Sequence, residues 1–116
     1  MGLSTHVLDT MHGKPAAGMG VALLKKQGEV YQLMKTLVLN QDGRADAPLI
    51  ENQDLSVGQY RLSFSAGEYF RSKVSGLAEP LFLDVVHLDF GVSNTKEHYH
   101  VPLLVSPWSY STYRGS

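Results

Sequence analysis

His98-Tyr99-His100-Val101-Pro102-Leu103-Leu104-Val105 alternates: Tyr99, Val101, Leu103 and Val105 fall on one face of an extended chain, His98, His100, Pro102 and Leu104 on the other. A solvated strand face carries Lys, Glu or Thr. Imidazoles mixed with proline and leucine point instead to an outer face that is itself partly covered, by a ligand or by another subunit. The chain runs on through Ser106-Pro107-Trp108-Ser109-Tyr110-Ser111-Thr112-Tyr113-Arg114-Gly115-Ser116. Chain ends fray unless something holds them, and an end this rich in aromatic residues is expected to be held.

The same pattern recurs upstream. Residues 3–8 read as a short strand with Leu3, Thr5 and Val7 on one face and Ser4, His6 and Leu8 on the other, so His6 again shares its face with an aliphatic residue. Residues 19–26 alternate around Val21 and Leu23. Gln27-Gly28-Glu29 then turns the chain into residues 30–40, where Tyr31, Leu33, Leu37 and Leu39 are expected to share a face interrupted by Lys35. Asp42-Gly43 is a tight reversal, with Arg44 directly after it. Residues 48–54 read as polar and irregular.

Residues 59–66 alternate with Tyr60, Leu62 and Phe64 inward. Helical spacing wins only in residues 67–76, where Phe70 and Val74 lie four apart between flanking glycines. Residues 81–90 read as a further strand with Phe82, Val86, Leu88 and Phe90 on one face. Leu83 and Val85 make its other face apolar, as at a subunit contact, and His87 there reads as structural. Seven or eight short strands and one short helix describe an all-β fold, an antiparallel β-sandwich formed as a single domain over residues 1–116.

Composition narrows the function. A net charge of −1 without a Lys/Arg cluster speaks against nucleic acid or an anionic membrane as partner. The absence of cysteine removes disulfides, thiolate metal sites and cysteine nucleophiles. With no apolar run of membrane-spanning length and no secretory leader pattern, a cytoplasmic location is the default expectation.

Two separated motifs carry a family resemblance. His6-Val7-Leu8-Asp9, followed by Gly13-Lys14-Pro15-Ala16 and then Met19 and Val21, resembles the first signature of the transthyretin family. Tyr99-His100-Val101-Pro102, followed by Ser106-Pro107-Trp108-Ser109-Tyr110-Ser111, resembles the second, with Val105 where the family usually has leucine. The hormone-carrying branch has lysine in place of His6, tends to have threonine in place of His100, and runs on past the second signature. Both histidines and a final Tyr113-Arg114-Gly115-Ser116 make this chain similar to the other branch, which hydrolyses 5-hydroxyisourate in urate breakdown.

That resemblance implies a transthyretin-like sandwich of two four-stranded sheets in a homotetramer, with active sites in a channel between subunits. The strand of residues 3–8 would pair with that of residues 98–105, placing His6 beside His100. Arg44 would come from the neighbouring segment and Tyr113 to Ser116 from the strand after. The implied site is His6, Arg44, His100 and Ser116 for catalysis, with His6, Arg44 and Tyr113 binding substrate and no cofactor.

The residue types suit the chemistry. Opening a ring amide requires a proton taken from water, negative charge stabilised on oxygen, and a proton given to the departing nitrogen. Imidazoles with an ordinary pKa near 6.5 serve the first and third needs. A guanidinium, always charged and forked, serves the second. Ser116 offers a hydroxyl and a terminal carboxylate. The rivals are a zinc hydrolase using His6, His98 and His100, and a non-enzymatic carrier that holds a small ligand in the same channel.

Overall fold

The computed structural model describes residues 2–115. Its strands are β1 (Leu3–Asp9), β2 (Lys14–Pro15), β3 (Gly20–Gln27), β4 (Val30–Val38), β5 (Gly58–Phe64), β6 (Val86–Val92), β7 (Tyr99–Val105) and β8 (Tyr110–Thr112), with one α-helix, α1 (Ala66–Lys73). They form two four-stranded sheets, ordered β2-β1-β7-β8 and β4-β3-β5-β6. Neighbouring strands run antiparallel with one exception: β1 and β7, from opposite ends of the chain, pair in parallel. The expected two-sheet sandwich is therefore present, with one parallel seam inside it.

Alternation explains the core. Leu3, Val7, Tyr99, Val101, Leu103 and Val105 of the first sheet are buried, as are Val21, Leu23, Tyr60, Leu62, Phe64, Val86, Leu88 and Val92 of the second. Each fully buried side chain of this size contributes roughly 1.5–3 kcal/mol of transfer free energy. Thr5, on the inward face of β1, stays satisfied by donating to the Val101 carbonyl at 2.7 Å. Helix α1 closes one end of the sandwich with Tyr69 and Phe70, whose rings meet edge to face at 5.0 Å.

Three sequence expectations are corrected. A β-bulge between Leu23 and Leu24 pairs Leu23 with Lys35 but Leu24 with Leu33, so β4 changes phase. Tyr31 and Leu33 consequently lie on the outer face, where the Arg61 guanidinium stacks 4.0 Å from the Tyr31 ring, while Leu37 and Leu39 turn inward. The strand expected over residues 81–90 begins only at Val86, and Phe82 is 77% exposed. The Asp84 carbonyl accepts from Gly67 N–H at 2.8 Å, which engages that backbone with α1 instead of a ladder. Within residues 48–54, Leu49 and Ile50 are buried and held against β1 through hydrogen bonds with Leu3.

The end of β1 is anchored by a buried carboxylate. Asp9 is fully buried and accepts from the Tyr69 hydroxyl at 2.8 Å and from His12 N–H at 3.0 Å, with His12 Nδ1 2.6 Å away. Burial alone would raise the Asp9 pKa, but the hydrogen bonds from His12 and Tyr69 outweigh it and hold it below the ordinary value. The stability linked to this shift is present above pH 3.8 and is lost as pH falls through the lower folded-state value. Tyr69→Phe is expected to lower the unfolding free energy by about 1.5–3 kcal/mol in urea titrations. Because that hydrogen bond helps hold the Asp9 pKa down, its loss should also shrink the stability lost as pH falls below 3.8.

Candidate active site

The outward face of the first sheet collects the polar residues. The parallel register sets Ser4 opposite His100 and His6 opposite Pro102, so His6 and His100 are diagonal neighbours on one face. Both are half-buried. The structure thus brings the expected pair together from strands near the two ends of the chain.

Arg44 arrives beside His6 through a loop bonded to β1. Gly43 is buried with φ +71°, its carbonyl accepts from Val7 N–H at 2.9 Å, and a Cβ on it would stand 2.5 Å from the Val7 carbonyl oxygen. The Asn40 side-chain oxygen accepts from Asp42 and Arg44 N–H at 2.9 and 3.2 Å, and Arg44 forms an antiparallel bridge with His6. The local sequence therefore aims an exposed guanidinium at the histidine face.

On the other side, the C-terminal segment folds back over His100. Gly115 N–H donates to the His100 carbonyl at 2.7 Å, and a Cβ on Gly115 would lie 2.8 Å from His100 Cδ2. Only glycine lets this backbone approach so close to the ring. Arg114 donates to Glu97 at 2.8 Å and to the His98 carbonyl at 3.3 Å, and stacks 4.1 Å from the Tyr99 ring. Tyr113 is exposed and, with Glu97, His98, His100, Arg114 and Gly115, lines an open pocket of about 850 Å³. Arg44 lines a separate recess of about 220 Å³ that includes Ser4. Ser116, expected in the site, lies outside the described residues.

Electrostatics favour neutral imidazoles. Burial first, then the Arg44 charge, lowers the His6 pKa from 6.5, opposed by the backbone and carboxylate of Asp42. The His100 pKa is lowered by burial, then by Arg44, His6 and His98. Neighbouring imidazoles lower only His100, and that effect comes after burial and the arginine. A neutral imidazole is a proton acceptor, so both residues are in the form that a general base requires.

Three contributors escaped the sequence reading. Ser4 Oγ stands 2.8 Å from His100 Nδ1 and 3.2 Å from His98 Nε2, linking the two rings. Its signal was available, since Ser4 precedes His6 by two residues on the same strand face. Gly115 and Arg114 act through close packing and ion pairing, which spacing does not reveal. Among the described residues no three His, Asp or Glu side chains converge as a metal-binding group, and no helix is long and apolar enough to cross a membrane.

Comparison with known proteins agrees with this architecture. The model of the HIUase/Transthyretin family matches residues 3–115. A 5-hydroxyisourate hydrolase of Deinococcus radiodurans is 55% identical over 115 residues, which cover 99% of this chain and 96% of that protein. The structure of Klebsiella pneumoniae 5-hydroxyisourate hydrolase, 31% identical, superposes with a TM-score of 0.80 over 100% of both chains. Sea bream transthyretin in complex with thyroxine, 26% identical, gives 0.87 over 99% of this chain and 95% of its own. From a matched family model, a matched sandwich, and the signature segments His6–Asp9 and Tyr99–Pro102 on paired strands of one sheet, the chain belongs to the HIUase/Transthyretin family.

Proposed function

We propose that this protein, acting as a single domain of residues 1–116 in the cytoplasm, hydrolyses 5-hydroxyisourate to 2-oxo-4-hydroxy-4-carboxy-5-ureidoimidazoline in purine catabolism. The observation that carries this reading is the meeting of two half-buried imidazoles, His6 and His100, both held below their ordinary pKa beside the Arg44 guanidinium. The 55% identity to a named 5-hydroxyisourate hydrolase supports the choice of substrate.

In the mechanism, one neutral imidazole takes a proton from water as the oxygen attacks the ring amide carbonyl. The negative charge that develops on the carbonyl oxygen is met by Arg44, whose forked donors match a planar, oxygen-rich ring. The carbon–nitrogen bond then breaks, and an imidazolium returns the proton to the departing nitrogen. Tyr113 stands at the pocket rim to hold the ring, and Ser116 is the further catalytic residue that the family resemblance implies. The exposed aromatics Trp108, Tyr110 and Tyr113 of the segment after β7 support assembly into a homotetramer.

The direct test follows the near-ultraviolet decay of freshly generated 5-hydroxyisourate with and without the protein, in the presence of a chelator. Accelerated decay is expected. Decay at the spontaneous rate, with or without added zinc, would overturn the enzyme reading in favour of a ligand carrier. Decay restored only by zinc would transfer the chemistry to a metal.

His6→Asn or His100→Asn, with fold retained, should slow turnover by about 10²- to 10⁴-fold in the same assay. Arg44→Lys should lose nearly as much as Arg44→Ala, because a point charge does not reproduce the fork. Gly115→Ala should lower kcat by pushing the His100 ring aside while the far-ultraviolet circular dichroism stays unchanged. Because both imidazole pKa values are lowered and the neutral form is the active one, kcat/KM should be level through neutrality. It should fall in acid with a midpoint below 6.5.

A further inference from the structure

Ser4 has one hydroxyl hydrogen and faces two ring nitrogens, His100 Nδ1 at 2.8 Å and His98 Nε2 at 3.2 Å. The hydroxyl donates to one and accepts from the other, so the two facing nitrogens hold opposite protonation states. When His100 carries its hydrogen on Nδ1, its Nε2 is a free lone pair and Ser4 donates to His98. When Ser4 donates to His100, the hydrogen of neutral His100 sits on Nε2 and His98 carries one on its Nε2. The first arrangement presents a base at His100 Nε2 and the second an acid.

We propose, resting on the hydrolase reading above, that Ser4 and His98 form a two-residue proton relay behind His100. As His100 Nε2 takes the proton from water, the Nδ1 hydrogen passes to Ser4 Oγ and the Ser4 hydrogen passes to His98 Nε2. One positive charge then moves from His100 to His98, no other bond changes, and the reverse shift supplies the proton for the departing nitrogen. Ser4 and His98 are positioning residues in this scheme, since of these three residues only His100 meets the reacting atoms.

Two further observations carry the relay beyond a simple structural link. His98 Nδ1 is buried without a hydrogen-bond partner among the described residues. A fixed donor there would hold Nδ1 without its hydrogen and force that hydrogen onto Nε2, which would block the relay, whereas with no donor facing it Nδ1 keeps its hydrogen before and after the transfer. The register also gives the shift a direction. Arg44 bridges His6, His100 is the diagonal neighbour of His6, and His98 lies two residues further from that corner. Moving the proton to His98 carries positive charge away from the Arg44 guanidinium. At the far end the charged neighbours are Glu97 and Arg114, already paired with each other at 2.8 Å. The two imidazole rings lie within 14° of parallel with centroids 6.4 Å apart, which lets one hydroxyl serve both.

The test compares Ser4→Ala, Ser4→Thr, His98→Gln and the double variant S4A/H98Q in the decay assay. Ser4→Ala and His98→Gln should each lower kcat by about tenfold or more with KM nearly unchanged, a part of the full effect of a general base. Ser4→Thr, which keeps the hydroxyl, should retain most of the activity. The double variant should be no worse than either single one, as residues acting in one chain are non-additive. Unchanged kcat in Ser4→Ala, or losses that multiply in the double variant, would overturn the relay. Imidazole nitrogen NMR of the unmodified protein separates this from failure of the hydrolase reading. Opposite protonation at His98 Nε2 and His100 Nδ1 is expected, with the correlation lost in Ser4→Ala. Matching protonation at the two nitrogens would overturn the relay whatever the activity.

Discussion

The parallel seam between β1 and β7 is the pairing on which the rest of the molecule depends. Each strand buries one face against the opposite sheet through Leu3, Val7, Tyr99, Val101, Leu103 and Val105, which pins the register, because a slip of one residue would turn every one of these side chains outward. That same register sets Ser4 against His100 and His6 diagonal to it. The geometry of the polar face is therefore fixed by the hydrophobic cost of shifting the apolar face, which holds the two histidines in place.

Around that seam, loops supply charge and backbone. The Asn40–Arg44 loop is tied to β1 through Gly43, and the C-terminal segment is tied to β7 through Gly115, so two glycines flank the site from opposite sides of the sheet. Asp9 anchors the far end of β1 with hydrogen bonds from both α1 and the β1–β2 turn. Rigid strands thus carry the imidazoles while short, bonded loops carry the guanidinium and the pocket rim, the division of labour expected where function sits on a stable frame.

Much of this was legible in the sequence, because alternation is strict wherever one face is buried. β1, β5 and β7 followed their patterns, and α1 formed where helical spacing wins, though it begins at Ala66 and stops at Lys73 with Val74 already extended. β4 did not, since the bulge at Leu23/Leu24 inserts a residue and no residue type marks it. Phe82 looked inward because it keeps step with Val86, yet the backbone at Asp84 is engaged by α1. Of the site residues that the family resemblance implies, His6 and His100 share one face of the first sheet, Arg44 comes from the adjoining loop and Tyr113 from the C-terminal segment. Ser4 was missed because a serine on a strand is ordinary until its partners are known, and Gly115 because close approach to a ring leaves no periodic trace.

Strands from opposite ends of the chain that pair side by side must wait for each other. Such distant pairing pays its loop-closure entropy before any contact returns it, which makes its formation late and slow relative to the local hairpins. During synthesis, His6 emerges early and stays without His100 until nearly the whole chain has been made. The histidine face therefore comes into being only with the finished sandwich, and a partly made or clipped chain holds half of it at most. The assembled histidine face is in this way a readout of completed folding.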